Sequence, residues 1–342
     1  MRVFVFITLV ISVVACKKSI NEADIYETIF VRTKGNDMPL YLRGNFESGT
    51  CILLVHGGPG GSGLEYRSGK FIEAIEKKYG LAYWDQRGQG MSHGTFSSEE
   101  VTIENMVVDM KAVINALKDR FEKIQVVALG HSWGGTLTAK FMITNDNQYL
   151  LSGWLESNGA HDIPALNIEA VKLFISEANN QINLGNNTEK WSELLSWASA
   201  IDTNNISVEQ GGEINSKARE AEQLLLDDGI IQAGESGGTK NSIFFGPTNI
   251  LTSTISGNRT NGNLSEIETL SMTKELSMVT IPCLFLWGKY DFVVPPALGF
   301  GAFNTVQSTN KKLVIFDKSG HSPMDNEWEA YLKEVDQFIE SL

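Results

Sequence analysis

Short apolar runs alternate with helical hydrophobic patterns along most of this chain. Two stretches, 103–117 and 328–339, repeat apolar side chains every three or four positions, the first of them behind a Thr102 cap. The apolar runs have the length and composition of strands that are covered on both faces, and they lie at 51–55, 81–85, 124–129, 150–155, 281–287 and 312–316. This alternation predicts a doubly wound, mostly parallel α/β sheet, which binds ligands above the carboxyl ends of its strands.

Two regions depart from that alternation. Residues 26–32 and 38–43 are predicted to form a hairpin of edge strands, because the turn chemistry of Lys34-Gly35-Asn36-Asp37 separates them. From 159 to 277 the strand rhythm is lost, and helical patterns are broken by polar, glycine- and asparagine-rich stretches. We therefore predict a core in two parts, 25–158 and 278–342, with an inserted helical cap at 159–277.

The first residues have the pattern of an export signal. Arg2 precedes a largely apolar run at 3–15 that is short for a membrane span. Val13-Val14-Ala15-Cys16 then resembles a bacterial lipobox. The pattern predicts a lipoprotein signal peptide at 1–15, lipid on Cys16 and a tether at 16–24. The protein would be exported and anchored to the bacterial cell envelope as a periplasmic or outer-membrane lipoprotein; the alternative is an ordinary signal peptide or a short anchor helix.

Composition narrows the function classes. The 342 residues, 42% of them hydrophobic, suffice for one large α/β domain plus an insertion. A formal net charge of -13 repels a phosphate backbone, so nucleic-acid binding is not expected. Cys51 and Cys283 fall in separate predicted core strands, farther apart than the roughly 7 Å between Cα atoms that a disulfide allows, and are expected to be free. The spacing of histidines and cysteines predicts no metal site, and no cofactor is expected.

The segment Gly130-His131-Ser132-Trp133-Gly134 joins a predicted strand to a predicted helix. In this G-x-S-x-G turn, a side chain two residues before or after the serine would collide with the neighbouring strand or helix. The turn would expose Ser132 above the carboxyl edge of the sheet. Ser132 is therefore the candidate nucleophile.

A serine hydroxyl needs a base, and the base needs a carboxylate to orient it. Of the five histidines, His321 alone follows the last predicted strand, whereas the others lie in glycine turns or after earlier strands. Asp291 leaves the preceding strand, which gives the chain order serine, acid, histidine. Asp162 is the main alternative acid, with Asp317 and Asp325 as rivals closer in sequence to the histidine.

The oxyanion formed during attack needs preorganised donors. Trp133, directly after the candidate nucleophile, offers one backbone N–H. Gly58, in the glycine-rich turn after the strand at 51–55, offers a second.

These segments together resemble the proline iminopeptidase branch of the α/β-hydrolases. The motifs that carry the resemblance are His56-Gly-Gly-Pro-Gly-Gly61, Asp85-Gln-Arg-Gly-Gln-Gly90 with Ser92, Gly130-His-Ser-Trp-Gly-Gly-Thr136, Gly288-Lys-Tyr-Asp291 and Gly320-His321. The resemblance implies an α/β-hydrolase fold. It also implies a Ser132, Asp291 and His321 triad with oxyanion donors at Gly58 and Trp133.

The same resemblance implies that Asp85 and Arg87 are scaffold near the site, and we expect them to form a buried charge pair. Its implied activity is a serine aminopeptidase that releases N-terminal proline or small residues from short peptides. The alternatives are an esterase or lactonase with the same triad, acting on another small acyl substrate, and a binding lipoprotein without catalysis. Ser132 argues against epoxide hydrolases and dehalogenases, because those enzymes use an aspartate nucleophile.

The resemblance fades in the cap. Members that remove proline are expected to carry Trp-x-x-Trp-Glu, with a glutamate that holds the substrate amine, whereas this chain has Trp191 and Trp197 at wider spacing, followed by alanine. Substrate contacts are expected from Trp197, Phe244 and Phe245, although large aromatic residues more often serve a core. The carboxylates that could hold an ammonium group stay open at this point: Glu193, Glu213, Glu220 and Glu235.

Overall fold

The computed structural model describes residues 24–235 and 265–342. The predicted signal peptide, the predicted lipid site at Cys16, and Phe244 and Phe245 lie outside the described residues. Within those two ranges, no helix is both long and apolar enough to cross a membrane.

One mixed sheet forms the centre of the described chain. Its strands are β1 (Asp24–Thr33), β2 (Asn36–Asn45), β3 (Thr50–Val55), β4 (Gly80–Trp84), β5 (His93–Gly94), β6 (Gln125–His131), β7 (Gly153–Ser157), β8 (Cys283–Gly288) and β9 (Lys311–Phe316). The order is β1-β2-β4-β3-β6-β7-β8-β9, with β5 paired to β2. Pairing is parallel from β4 across to β9 and antiparallel at the β1–β2 end. This confirms the predicted doubly wound, mostly parallel sheet.

Nine helices are described, of which some cover the two faces of the sheet and three pack around a separate apolar cluster. The nine are α1 (Lys70–Ile75), α2 (Ile103–Arg120), α3 (Trp133–Ile143), α4 (Ile163–Leu184), α5 (Thr188–Ser199), α6 (Val208–Asp227), α7 (Pro296–Thr305), α8 (Pro323–Asn326) and α9 (Trp328–Glu340). Helix α2 begins where the sequence predicts, because the Thr102 side chain accepts a hydrogen bond from the N–H of Asn105. Two apolar clusters lie on opposite faces of the sheet, one under α2 and α3 and the other under α1 and α9.

The hairpin at the sheet edge is confirmed, with a tighter turn than predicted. Only Lys34 and Gly35 connect β1 to β2, and both have positive φ angles, 44° and 73°. A two-residue turn with this geometry matches the twist of the strands it joins. The strands therefore extend beyond their predicted bounds on the side of the turn, β1 by one residue to Thr33 and β2 by two residues to Asn36.

The predicted strand at 150–155 is displaced along the chain. Residues Asn147–Leu150 form a 3-10 turn, and the N–H of Leu151 donates to the carbonyl of Gln148. These bonds keep Leu150 and Leu151 out of the sheet. Strand β7 begins at Gly153, opposite Val127 of β6. Leu150 and Leu151 are apolar as strand residues are, but they belong to the turn before the strand.

The region predicted as a cap contains its own apolar core. Helices α4, α5 and α6 pack around Phe174 and Trp191, and Phe292 from the loop after β8 joins that cluster. The two cysteines are free and buried, in β3 and in β8, with β6 and β7 between those strands. The expected lack of a disulfide between Cys51 and Cys283 is therefore confirmed.

Candidate active site

Ser132 lies at the sharp turn between β6 and α3, with φ 56° and ψ -121°. A Cβ atom on Gly130 would lie 2.4 Å from Thr138 Oγ1, and one on Gly134 would lie 1.8 Å from the carbonyl oxygen of Val55. No neighbour can yield that much space when the contact is backbone. The two glycines of the motif therefore allow the helix to start against β3, and this close packing presents Ser132 above the sheet.

Asp291 and His321 come together at the carboxyl ends of β8 and β9. The Nδ1 atom of His321 lies 2.9 Å from Oδ2 of Asp291, and the Asp291 side chain is fully buried. Oδ1 of Asp291 accepts from the N–H of Val294 at 2.7 Å, and Oδ2 also accepts from the side-chain amide of Asn158. Three donors thus hold this carboxyl group in one orientation.

Burial favours the neutral form of both Asp291 and His321, and therefore shifts their pKa values in opposite directions. Burial raises the pKa of Asp291, but the N–H groups of Val294 and Asn158 oppose that shift, and together with the His321 ring they stabilise the carboxylate form. The pKa of His321 falls to about 4, chiefly through burial, so its ring is neutral at neutral pH. Because every partner of Asp291 is an N–H donor, we assign Nδ1–H of His321 as a donor to the carboxylate, which leaves Nε2 as an acceptor.

The rival acids have other partners. Asp162 caps α4 by accepting from the N–H of Ala165, and it also accepts from Ser271 and Thr273. Asp317 is exposed, 3.5 Å from Lys289. Of the four aspartates weighed, Asp291 is the one bonded to the His321 ring.

Ser132 and His321 belong to neighbouring loops, and the ring of His131 lies 4.8 Å from the ring of His321. Within the described chain no hydrogen bond joins Ser132 Oγ to the His321 ring. Such pairs are often long without substrate and shorten in the complex. The structure thus places the three predicted triad residues at one edge of the sheet, with one of their two hydrogen bonds formed.

Ser132, Gly58 and Trp133 line the same cavity, of about 210 Å³. Its walls are largely apolar, with Ile163, Leu166 and Val294 as examples, and the side chains of Asn167, Asn215 and Glu268 add polar atoms. Among the described residues, the backbone N–H groups of Gly58 and Trp133 have no hydrogen-bond partner. Unpaired donors beside a candidate nucleophile suit an oxyanion.

The Asp85-Gln-Arg-Gly-Gln-Gly90 turn braces the loop that carries Gly58. Gln86 accepts from Trp133 Nε1 at 2.9 Å and donates to the carbonyl of His56 at 3.0 Å. Gln89 accepts from the N–H of Gly60 at 2.7 Å. The two glutamines therefore connect both candidate oxyanion donors to one rigid turn, a role that the sequence did not reveal.

The predicted pair between Asp85 and Arg87 is wrong. Asp85 accepts from Ser62 Oγ at 2.6 Å and from the N–H of Gly63 at 2.9 Å, so it holds the glycine-rich loop instead. Arg87 pairs with Asp109 of α2 at 2.7 Å, and both side chains are fully buried. The two side chains of this turn point to different sides, which separates the two charges.

Glu222 of α6 is the residue near the triad that the sequence did not single out. Its two carboxylate oxygens accept from the backbone N–H groups of Phe292 and His321, both at 3.0 Å. Burial, reinforced by the charge of Asp291, raises its pKa to about 7. Glu222, Arg219 and His321 line a second cavity, of about 290 Å³. Glu222 falls in an otherwise ordinary helical pattern, so no signal in the sequence distinguishes it.

The glutamates considered from sequence have partners away from the triad. Glu213 accepts from Trp197 Nε1 at 2.7 Å, and Trp197 packs edge-on against Phe174, so this indole belongs to the cap cluster. Trp197 is not among the described residues that line the cavity at Ser132. The other three form surface ion pairs: Glu193 with Lys190, Glu220 with Lys217, and Glu235 with Lys70.

In the two described ranges, no group of three or more histidine, cysteine, aspartate or glutamate side chains could hold a metal ion. The ionisable groups at the sheet edge are instead engaged with N–H donors and with each other. The arrangement suits proton transfer between a hydroxyl and an imidazole.

Comparison with known proteins agrees with this geometry. Residues 47–201 match the family described as Serine aminopeptidase, S33. Proline iminopeptidase of Heyndrickxia coagulans is 24% identical over 298 residues, which cover 86% of this chain and 92% of that protein.

Among solved structures, proline iminopeptidase from Mycobacterium smegmatis aligns with a TM-score of 0.57 at 16% identity, over 92% of this chain and 98% of that chain. An esterase from Exiguobacterium antarcticum aligns with a TM-score of 0.55 at 17% identity, over 92% of this chain and all of its own (100%). The fold and the turn at Ser132 define an α/β-hydrolase. Within that fold the chain is similar to the serine aminopeptidase family and to proline iminopeptidases.

Proposed function

We propose that this hydrolase is a serine aminopeptidase that releases N-terminal proline or small residues from short peptides. One observation carries the proposal: Ser132 and two unpaired backbone N–H groups line one cavity, at the sheet edge where Asp291 and His321 are paired. The apolar wall of that cavity suits a small aliphatic side chain or a proline ring. The similarity to proline iminopeptidases supports the choice of a peptide substrate.

In this mechanism Ser132 Oγ attacks the carbonyl carbon of the first residue while His321 Nε2 takes the hydroxyl proton. The oxyanion receives the N–H groups of Gly58 and Trp133, and Asp291 stabilises the imidazolium that forms. His321 then gives its proton to the departing peptide amine, which leaves an acyl-enzyme on Ser132. A water molecule, deprotonated by His321, attacks the acyl carbon and regenerates the serine.

Glu222 is our candidate for the group that holds the substrate's free amine. It lines the second cavity together with His321, and each of its oxygens keeps a lone pair after accepting one backbone N–H. An ammonium group in a partly desolvated cavity needs such a counter-charge. The four glutamates that the sequence suggested have partners elsewhere.

The first test uses a fluorophosphonate probe and two substrate classes. Wild-type protein should be labelled and Ser132→Ala should not, while Ser308→Ala, which removes a buried hydroxyl in the loop before β9, serves as the serine control. Prolyl- and alanyl-arylamides should be cleaved beside short p-nitrophenyl esters. Cleavage of the esters without any amide cleavage would indicate an esterase, and a folded, unlabelled wild type would indicate a binding protein.

A further inference from the structure

A chain of hydrogen bonds crosses beneath the candidate active site. The N–H of Gly57 donates to the hydroxyl oxygen of Tyr66 at 2.9 Å. The same hydroxyl lies 2.7 Å from Nδ1 of His131, and Nε2 of His131 lies 2.8 Å from the carbonyl oxygen of His321. Three loops meet here: the glycine-rich loop, the turn at Ser132 and the loop of His321.

The groups at the two ends of this chain determine which atom donates in each hydrogen bond. The carbonyl of His321 can only accept, so Nε2 of His131 carries the proton and Nδ1 is an acceptor. The Tyr66 hydroxyl therefore donates to Nδ1 and accepts from Gly57. Each ring nitrogen of His131 makes one hydrogen bond and the Tyr66 hydroxyl makes two, a pattern that requires a neutral His131.

His131 has the surroundings that keep it neutral. Its side chain is buried, with 6% of the residue exposed. Burial lowers its pKa to about 3, and the neighbouring His321 contributes to that shift. It is not a second base, because its Nδ1 is occupied by Tyr66 and its Nε2 bears the proton.

We propose that Tyr66 and His131 are positioning residues that set the oxyanion donor loop and the His321 loop relative to Ser132. Gly57 directly precedes the oxyanion donor Gly58, so an anchored Gly57 N–H fixes the approach of that loop. The carbonyl that His131 binds belongs to the residue that bears the base. The inference rests on the proposed serine chemistry, but not on the identity of the substrate.

Removing the bridge should lower turnover without weakening substrate binding. For Tyr66→Phe and for His131→Leu we expect kcat to fall about 10- to 100-fold with KM little changed, because small misplacements of reacting groups cost rate. The double variant should be about as slow as the slower single variant, since both changes break one path. His131→Gln, which keeps one donor and one acceptor, should recover part of the loss.

Tyr79→Phe is the matched control, because it removes another tyrosine hydroxyl, which donates to Asp336 of α9 at the amino end of β4, away from these loops. Fluorophosphonate labelling rates provide a readout that needs no substrate, and circular dichroism reports folding. Wild-type labelling and kcat in both folded single variants, or strictly additive losses in the double variant, would overturn the positioning role alone. An unlabelled wild type would instead remove the serine chemistry, and this role with it.

Discussion

At the scale of single residues, burial decides the charge of the groups around Ser132. The same desolvation lowers the pKa of His321 to about 4 and raises that of Glu222 to about 7. A base that stays neutral well below pH 7 remains competent in acid. A carboxyl group that titrates near neutrality does not keep its charge over that range, so two residues in one site respond to different pH windows.

The pH dependence of kcat/KM should separate these two groups. Glu222 is ionised above about pH 7 and loses its charge as the pH falls through that value. For aminoacyl arylamides, we expect kcat/KM to fall through the same window, because the substrate ammonium loses its counter-charge. Glu222→Gln should lower kcat/KM about 10-fold or more. Its pH profile should lack the decrease near pH 7 and keep only the decrease at lower pH that is due to His321.

A control variant and a substrate without an amine test whether Glu222 is responsible for this pH dependence. Glu220→Gln, two residues away and paired with Lys217 on the surface, should leave the profile as in the wild type. Short esters, which lack an amine, should lose less activity than arylamides in Glu222→Gln. An unchanged limb near neutrality in Glu222→Gln would mean that another group titrates there.

At the scale of elements, Arg87 ties α2 to the loops around the site. Its guanidinium makes two bonds to Asp109, and it also donates to the carbonyls of Thr33 and Lys34 in the hairpin turn. Asp109→Ala should lower the free energy of unfolding by about 3–5 kcal/mol, because it leaves a buried guanidinium without its partner. Urea unfolding measures this loss.

Asp119→Ala provides the control, since Asp119 is exposed on the same helix. It should change the free energy of unfolding by less than about 0.5 kcal/mol. Equal stabilities for the Asp109 and Asp119 variants would mean that the buried ion pair does not hold α2 against the loops.

Elements were easier to predict than side-chain partners. The apolar pattern suffices for α2 and for the parallel strands other than β7, because a buried strand and an amphipathic helix each need a characteristic apolar pattern. Chain order suffices to bring Asp291 near His321. The partners of Arg87 and the position of Glu222 depend on which helix faces which loop, and no local pattern in the sequence contains that information. For Asn158 the one available signal is its place directly after β7, beside the strand that leads to Asp291.

At the scale of the whole molecule, the helices α4 to α6 are joined to the loops at the carboxyl edge of the sheet. Phe292, one residue after Asp291, packs into the apolar cluster of those helices, and Glu222 of α6 binds the backbone at Phe292 and His321. Glu222, the proposed ligand of the substrate amine, is thereby attached to the loops that hold Asp291 and His321. A change in how α6 packs would therefore alter turnover as well as binding.

We also propose, from the sequence, that this site is held at a membrane surface by lipid on Cys16. Several acyl chains anchor a protein firmly, whereas one chain binds marginally. In a bacterial host, wild-type protein should incorporate labelled fatty acid and sediment with membranes, and Cys16→Ser should do neither while keeping its activity when the domain is folded. Cys51→Ala, which removes a buried thiol, should behave as the wild type. Membrane sedimentation of unlabelled Cys16→Ser would contradict the lipid anchor and favour an uncleaved apolar segment at 3–15.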